Sequence, residues 1–270
     1  MFSFRADFRL SILLMVRSRL WRVAATLCAL VAFIAVLAAE FSPRQPATVA
    51  LDVGLSFIRL AVPFVALLNI QDLLSREIER RLILTSLTFP RSRSSFLLAR
   101  YGAVVVTSIV MTILLCVVLA AVVSFVGKDY DQSTKVDLGL PYVLTIFYLL
   151  LDVAVVAAFG VALATISTTP NLVFLGGIGF MVAARSASTI IHLLQREENI
   201  VKGGEWYRVG LESVMWAIPD LGALDIRPIT LYGKWELLPS HPFALVLMAL
   251  AYSALLLLLG CIRFERRQFA

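Results

Sequence analysis

The sequence predicts an all-α, polytopic membrane protein, and three observations carry that expectation. The 270 residues are 60% hydrophobic and only 16% charged, and the mean hydropathy is +0.90. Soluble domains have nearer half apolar and a quarter charged residues. The apolar residues are gathered into about six runs that reach the roughly 20 residues needed to cross a hydrocarbon core. Arginines punctuate the chain in three clusters between and beside those runs.

The runs cover 21–39, 51–74, 101–126, 140–166, 172–194 and 242–262. They consume most of the chain, so residues 1–270 read as a single transmembrane domain with no room for a separate soluble catalytic unit. The first run follows Arg17, Arg19 and Arg22. It exceeds the roughly 7–15 residues of a signal-peptide core, so it reads as a retained span. Cys28, Cys116 and Cys261 lie in or at the end of runs, far apart and odd in number. They read as small buried hydrophobes rather than a disulfide or metal site.

Residues 1–20 are expected to form an interfacial helix. Phe4, Phe8, Ile12 and Met15 recur at near-helical spacing, with Arg5, Asp7 and Arg9 on other faces. Such a stripe lies in lipid. Pro63 interrupts the second run and predicts a kink. Gly176, Gly177 and Gly179 in the fifth predict close helix approach.

Charge sets the orientation. Basic residues cluster at the N-terminus, in 72–100 and at the C-terminal tail. These segments hold about fourteen, against about eight on the opposite side, so the positive-inside rule places them and both termini in the cytoplasm of a plasma (inner) membrane protein. Lys128, Lys135, Lys202 and Lys234 all fall on the other side, where acids balance them. Membrane lipid suffices as the partner of the basic excess, and no nucleic acid is implied.

The cytoplasmic region 72–100 is richer than a connector needs. Leu82, Ile83, Leu87 and Phe89 stand among charges, and Pro90 breaks the pattern once. An amphipathic helix here reads as a docking surface. On the other side, 195–241 predicts short helices before the last span. Tyr207, Leu211, Val214 and Ile218 form one apolar stripe, Pro219 stops it, and Leu221, Leu224 and Ile226 resume. Trp206 and Trp216 suit an interface.

The chain carries no Walker-type phosphate loop, no HExxH, no CxxC and no nucleophile elbow. His192 and His241 are isolated. Three charges lie inside apolar runs: Arg59, Asp152 and Arg185. Their burial in lipid costs several kcal/mol, so they are expected to face protein, water or one another. Pairing of Asp152 with Arg59 or Arg185 is the bland expectation. Substrate contact or proton coupling is the sharper one.

The segment Arg76-Glu77-Ile78-Glu79-Arg80-Arg81, then Leu84, Ser86, Pro90-Arg91-Ser92-Arg93 and Arg100, resembles the coupling helix of type-2 ABC exporter permeases. The closest look is to the branch associated with copper-enzyme maturation. Ile218-Pro219-Asp220-Leu221 resembles that family's outer-loop proline motif, and Phe264-Glu265-Arg266-Arg267-Gln268-Phe269 its basic-aromatic ending. Where the family often has glycine-threonine, this chain has Arg81-Leu82. The resemblance implies a permease subunit, not an enzyme, with no cofactor of its own. ATP and Mg would belong to a partner ATPase subunit, and a second permease copy or paralogue would complete the path. It also implies roles: Glu77, Glu79, Arg80 and Arg81 as rim ion pairs, Leu82, Ile83 and Leu87 as the apolar anchor, and Pro90 and Arg91 as the continuation. The rivals are a secondary transporter, a lipid-acting membrane enzyme and a non-transporting component driven by the ATPase.

Overall fold

A computed structural model describes residues 2–42, 44–75, 92–127, 136–167, 169–196, 218–239 and 241–266, with the side chains of 187–196 not described. The described residues are helical and contain no strand. The helices are α1 (Phe2–Met15), α2 (Trp21–Glu40), α3 (Pro46–Ile70), α4 (Arg93–Val126), α5 (Leu140–Ile166), α6 (Pro170–Arg196), the short α7 (Arg227–Tyr232) and α8 (Pro242–Arg266). Wider π-helical turns follow α1 (Val16–Leu20) and α3 (Gln71–Ser75). Among the described residues, five helices are long and apolar enough to cross a membrane: α2, α3 with its following turn, α4, α5 and α8. The fifth predicted run is α6, a helix of 27 residues.

Side-chain contacts fix how these helices run. Arg59 and Leu67 of α3 meet Asp152 and Gly160 of α5 in the same order, so the two are parallel. Asn171, Gly177 and Arg185 of α6 meet Gln71, Leu67 and Arg59 of α3 in reverse order, so α6 is antiparallel to both. Tyr142 Oη donates to the Cys116 carbonyl at 2.7 Å and Tyr101 Oη to that of Ala154 at 3.3 Å, which sets α4 antiparallel to α5. α8 lies parallel to α5, from Tyr148 beside Pro242 to Ala162 beside Gly260.

One end of the bundle is basic. Phe96 of α4 stacks on Phe264 of α8 with ring centroids 6.4 Å apart. Arg93 donates to the Glu265 carbonyl at 3.2 Å. The other end carries the loop 218–241. The start of α4 and the end of α8 therefore share one end, as the even count of predicted runs requires.

The N-terminal helix forms, but its inward face differs from expectation. Asp7, Ser11 and Met15, four apart, are buried at 4%, 0% and 1% exposure. Phe8 packs over Gly102, and Met15 Sδ accepts from Thr107 Oγ1 at 3.4 Å. Leu10, Leu13 and Leu14 face outward instead. Part of the stripe assigned to lipid thus packs on α4. Ser11 can be buried because its hydroxyl donates to the Asp7 carbonyl at 2.6 Å. Helical structure also continues through Val16–Leu20 into α2, with no break at Arg17.

Beyond Pro219, the apolar residues Leu221, Leu224 and Ile226 are buried, and they lie in turns rather than in the expected short helix. The helix begins only at Arg227, with Pro228 in its first turn, and ends on Gly233 at φ 64. Residues 76–91, which resemble a coupling helix in sequence, the stripe residues Tyr207, Leu211 and Val214, Trp206 and Trp216, and the tail from Arg267 lie outside the described residues.

Small residues set the helix spacing. A Cβ on Gly177 would stand 2.4 Å from Leu67 Cδ2, and one on Gly160 would stand 2.9 Å from the same atom. Leu67 is fully buried between these two glycines and has nowhere to retreat. Gly176 faces Leu163 just as closely, whereas Gly179 has open space. Gly177→Ala is therefore expected to destabilise the fold by about 1–3 kcal/mol through overpacking. Leu67→Val in the same chain recovers part of that loss, and the pair is read as a double-mutant cycle by thermal unfolding in detergent.

Candidate functional site

The three charges singled out in the apolar runs meet in the middle of the bundle. Asp152 lies twelve residues along α5, at 1% exposure, and Arg59 and Arg185 approach it from α3 and α6. Arg185 Nη2 donates to Asp152 Oδ2. Arg59 Nε stands 3.6 Å from the same oxygen. One carboxylate is thus shared by two guanidiniums.

Pro63 supplies another acceptor. Having no N–H, it leaves the carbonyl of Arg59, four residues back, without its helical donor. Arg185 Nη2 fills the vacancy at 2.8 Å. The α3 helix continues through Pro63 to Ile70. A backbone defect costly in hydrocarbon is repaired by the buried charge next to it.

The loop closes the site from the other side. Leu221 N–H donates to the Ala184 carbonyl at 3.1 Å, which brings irregular backbone down beside the middle of α6. Arg59 Nη2 donates to the Leu221 carbonyl at 2.8 Å, and Arg59 Nη1 to Asp225 Oδ2. Asp225 also takes Arg227 Nε on Oδ1 at 2.7 Å and Arg227 Nη2 on Oδ2 at 2.6 Å, a bidentate pair. Arg227 Nη1 reaches Asp52 Oδ1 at 3.0 Å and Ser56 Oγ, both on α3. Burial pushes the Asp225 carboxyl up, but the Arg227 hydrogen bonds and the Arg59 charge outweigh it and hold it below the usual carboxylate range. Asp225 is therefore ionised at neutral pH. The Asp225 hydrogen bond in turn raises the Arg227 guanidinium.

The network balances: Arg59, Arg185 and Arg227 against Asp52, Asp152 and Asp225. Exposure grades along it, from Asp152 at 1% to Asp52 at 50% at the rim. Beneath the loop is a cavity of about 10 Å³, the space of roughly one water. Arg59, Thr145, Leu149, Asp152, Leu224 and Asp225 line it. Asp152 Oδ1 and Arg185 Nε are buried without a hydrogen-bond partner in the chain. Above the cavity, Thr145 and Thr230 share a hydrogen bond of 2.7 Å that ties α7 to α5.

Of the site residues expected from sequence, Arg59, Asp152 and Arg185 come together. Glu77, Glu79, Arg80, Arg81, Leu82, Ile83, Leu87, Pro90 and Arg91 lie outside the described residues. Asp52, Asp225 and Arg227 were missed. The only signal was the triplet Asp225-Ile226-Arg227 beside buried-type residues in an outer loop, where charges are ordinary. Compared with known proteins, the chain matches no family and no curated protein.

Two results are expected. Asp152→Ala strands two cations and costs about 3–5 kcal/mol in detergent unfolding, whereas Asp152→Leu with Arg185→Met costs less than Asp152→Leu alone. Pro63→Ala is close to neutral, because the regained helix bond, up to ~3 kcal/mol with the proline relieved, is offset by Arg185 losing its carbonyl. In an Arg185→Gln background the same change becomes stabilising, and a thermal-shift double-mutant cycle reads the coupling.

Proposed function

We propose that this chain is the permease subunit of a type-2 ABC exporter, moving its cargo out of the cytoplasm or inner leaflet with ATP hydrolysed by a separate subunit. The observation that carries the reading is the asymmetry of the bundle. At one end, a loop penetrates the helices and is held shut by a charge-neutral network. At the other, α4 begins at Arg93 beside the last turn of α8, which carries Arg263 and Arg266, and the sequence joining α3 to α4 resembles a coupling helix. A path closed on one side and a docking segment on the other are the two parts an ATP-driven permease needs.

Six crossings follow in this reading, with α6 as the fifth. It runs antiparallel to α3 and α5, and the start of α8 lies beside Tyr148 in the loop-end half of α5. The chain must therefore have returned to that end through α6. The basic end is cytoplasmic by the positive-inside rule, in the plasma (inner) membrane. In the turn after α3, Gln71, Leu73, Leu74 and Ser75 are buried, and Gln71 Nε2 donates to Asn171 Oδ1 at 3.1 Å. Movement imposed on 77–87 would pass through this turn to α3, which carries Arg59. A second permease, identical or paralogous, completes the path.

The test is purification of the tagged chain in mild detergent, followed by an ATPase assay. A nucleotide-binding subunit is expected to co-purify, and Glu77→Arg with Glu79→Arg is expected to lose or uncouple it. Folded protein that carries no ATPase, under conditions that preserve such complexes, sinks the reading in favour of an ion-coupled secondary transporter. A co-purifying ATPase with no transported cargo leaves a mechanical component instead.

A further inference from the structure

The seated loop brings equal positive and negative charge into the network, so what it supplies is partners rather than charge. The spanning helices contribute Arg59, Arg185 and Asp152 to its buried part, and the loop contributes Asp225 and Arg227. Withdrawal of the loop removes one acid and one base together. Arg227 leaves with its bidentate partner Asp225, and Arg185 keeps both Asp152 and the Arg59 carbonyl. At the half-exposed rim Asp52 loses Arg227 to water, and in the buried part Arg59 alone is stripped. It loses Asp225 from Nη1 and the Leu221 carbonyl from Nη2, retaining only Asp152, 3.6 Å from Nε. What remains around Asp152 is two guanidiniums on one carboxylate, with the paired Nη donors of Arg59 unfilled. That fork matches a carboxylate or phosphate.

We propose that Arg59 is the receptor for an anionic group of the transported molecule, and that Asp225 fills it while the loop is seated. The inference rests on the exporter reading. The cavity holds about one water, so loop and ligand cannot share the seat. Of the apolar lining beside the fork, Leu149 belongs to α5 and stays, whereas Leu224 and Ile226 leave with the loop. One to two helical turns further toward the basic end lie Phe64 against Phe174 at 5.1 Å and Phe159 stacked on Phe180 at 4.0 Å. A charged head at Arg59 with an apolar body among these rings describes an amphipathic anion.

The test uses the full chain in nanodiscs of mixed phosphatidylglycerol and phosphatidylcholine, without an ATPase, so its outcome is independent of the pull-down. Lipid retained through purification is counted by native mass spectrometry, and inorganic phosphate binding is measured in parallel by dialysis. Asp225→Asn is expected to raise retained phosphatidylglycerol several-fold over wild type, with phosphatidylcholine unchanged. Adding Arg59→Gln abolishes the gain. Asp52→Asn, which removes the same charge at the rim without touching Arg59, produces none. A gain in phosphate but not in lipid supports the receptor and makes its ligand a soluble anion.

Equal retention of both probes by wild type and Asp225→Asn overturns the proposal. So does a gain that survives Arg59→Gln or that Asp52→Asn reproduces. If Asp225→Asn does not fold, the loop is locked instead by Ala184→Cys with Leu221→Cys in a chain whose three native cysteines are alanine. Oxidised protein is then expected to retain less phosphatidylglycerol than reduced protein, and equal retention overturns the proposal. Retention as expected with no co-purifying ATPase keeps the anion site and removes the exporter. The converse pair of results does the opposite.

Discussion

Asp152 shared between Arg59 and Arg185 constrains the arrangement of three helices at once. An uncompensated charge at the middle of a span costs several kcal/mol. The faces of α3, α5 and α6 that carry these residues must therefore meet. Once they do, the glycine contacts follow, because Gly160 and Gly177 sit two turns away on the same faces and close on Leu67. The ionic contact sets rotation about each helix axis, and the small residues set the distance between axes. Apolar packing alone does little of the first, since lipid is as apolar as the side chains it would replace.

Backbone satisfaction is the second constraint, and the site meets it with the same charges. Irregular backbone survives at depth only where protein or a water-lined cavity receives its polar groups. The turn at Leu221 gives its N–H to Ala184 and its carbonyl to Arg59. The carbonyl that Pro63 frees goes to Arg185. The two arginines thus serve two purposes each: they neutralise Asp152, and they cap backbone that neither helix nor water reaches.

What the sequence made legible follows from this. A charge inside an apolar run is conspicuous, so Arg59, Asp152 and Arg185 stood out. Pro63 was visible as an interruption, but its freed carbonyl acquires a role only when Arg185 arrives from more than a hundred residues away. Asp225 and Arg227 were hidden because acids and bases are ordinary in loops, and only the fold-back of 218–232 buries them. Leu221, Leu224 and Ile226 were legible as an apolar pattern and misread as helical, since a spacing of two to three suits turns as well. In α1 the expectation that the stripe of Phe4, Phe8, Ile12 and Met15 lies in lipid failed in part, since Phe8 and Met15 pack on α4. Ser11 satisfies itself on the Asp7 carbonyl, so a polar face could pack while Leu10, Leu13 and Leu14 turned outward.

The chemistry of the closure bears on why charges are used at all. An apolar plug of the same size would give up apolar surface to water on leaving the bundle, and nothing in the vacated seat would choose its replacement. Buried ion pairs contribute little net stability, because desolvation offsets most of their attraction. They are directional, however, and on the proposal above the arginine that holds the Asp225 carboxylate would hold that of a ligand in the same geometry. Asp225 holds its place through Arg59 at depth and through Arg227 to Asp52 at the half-exposed rim, where water can compete first. A loop so held is specific when seated and exchangeable when displaced. That combination suits a barrier that must open for one class of molecule and seal again behind it.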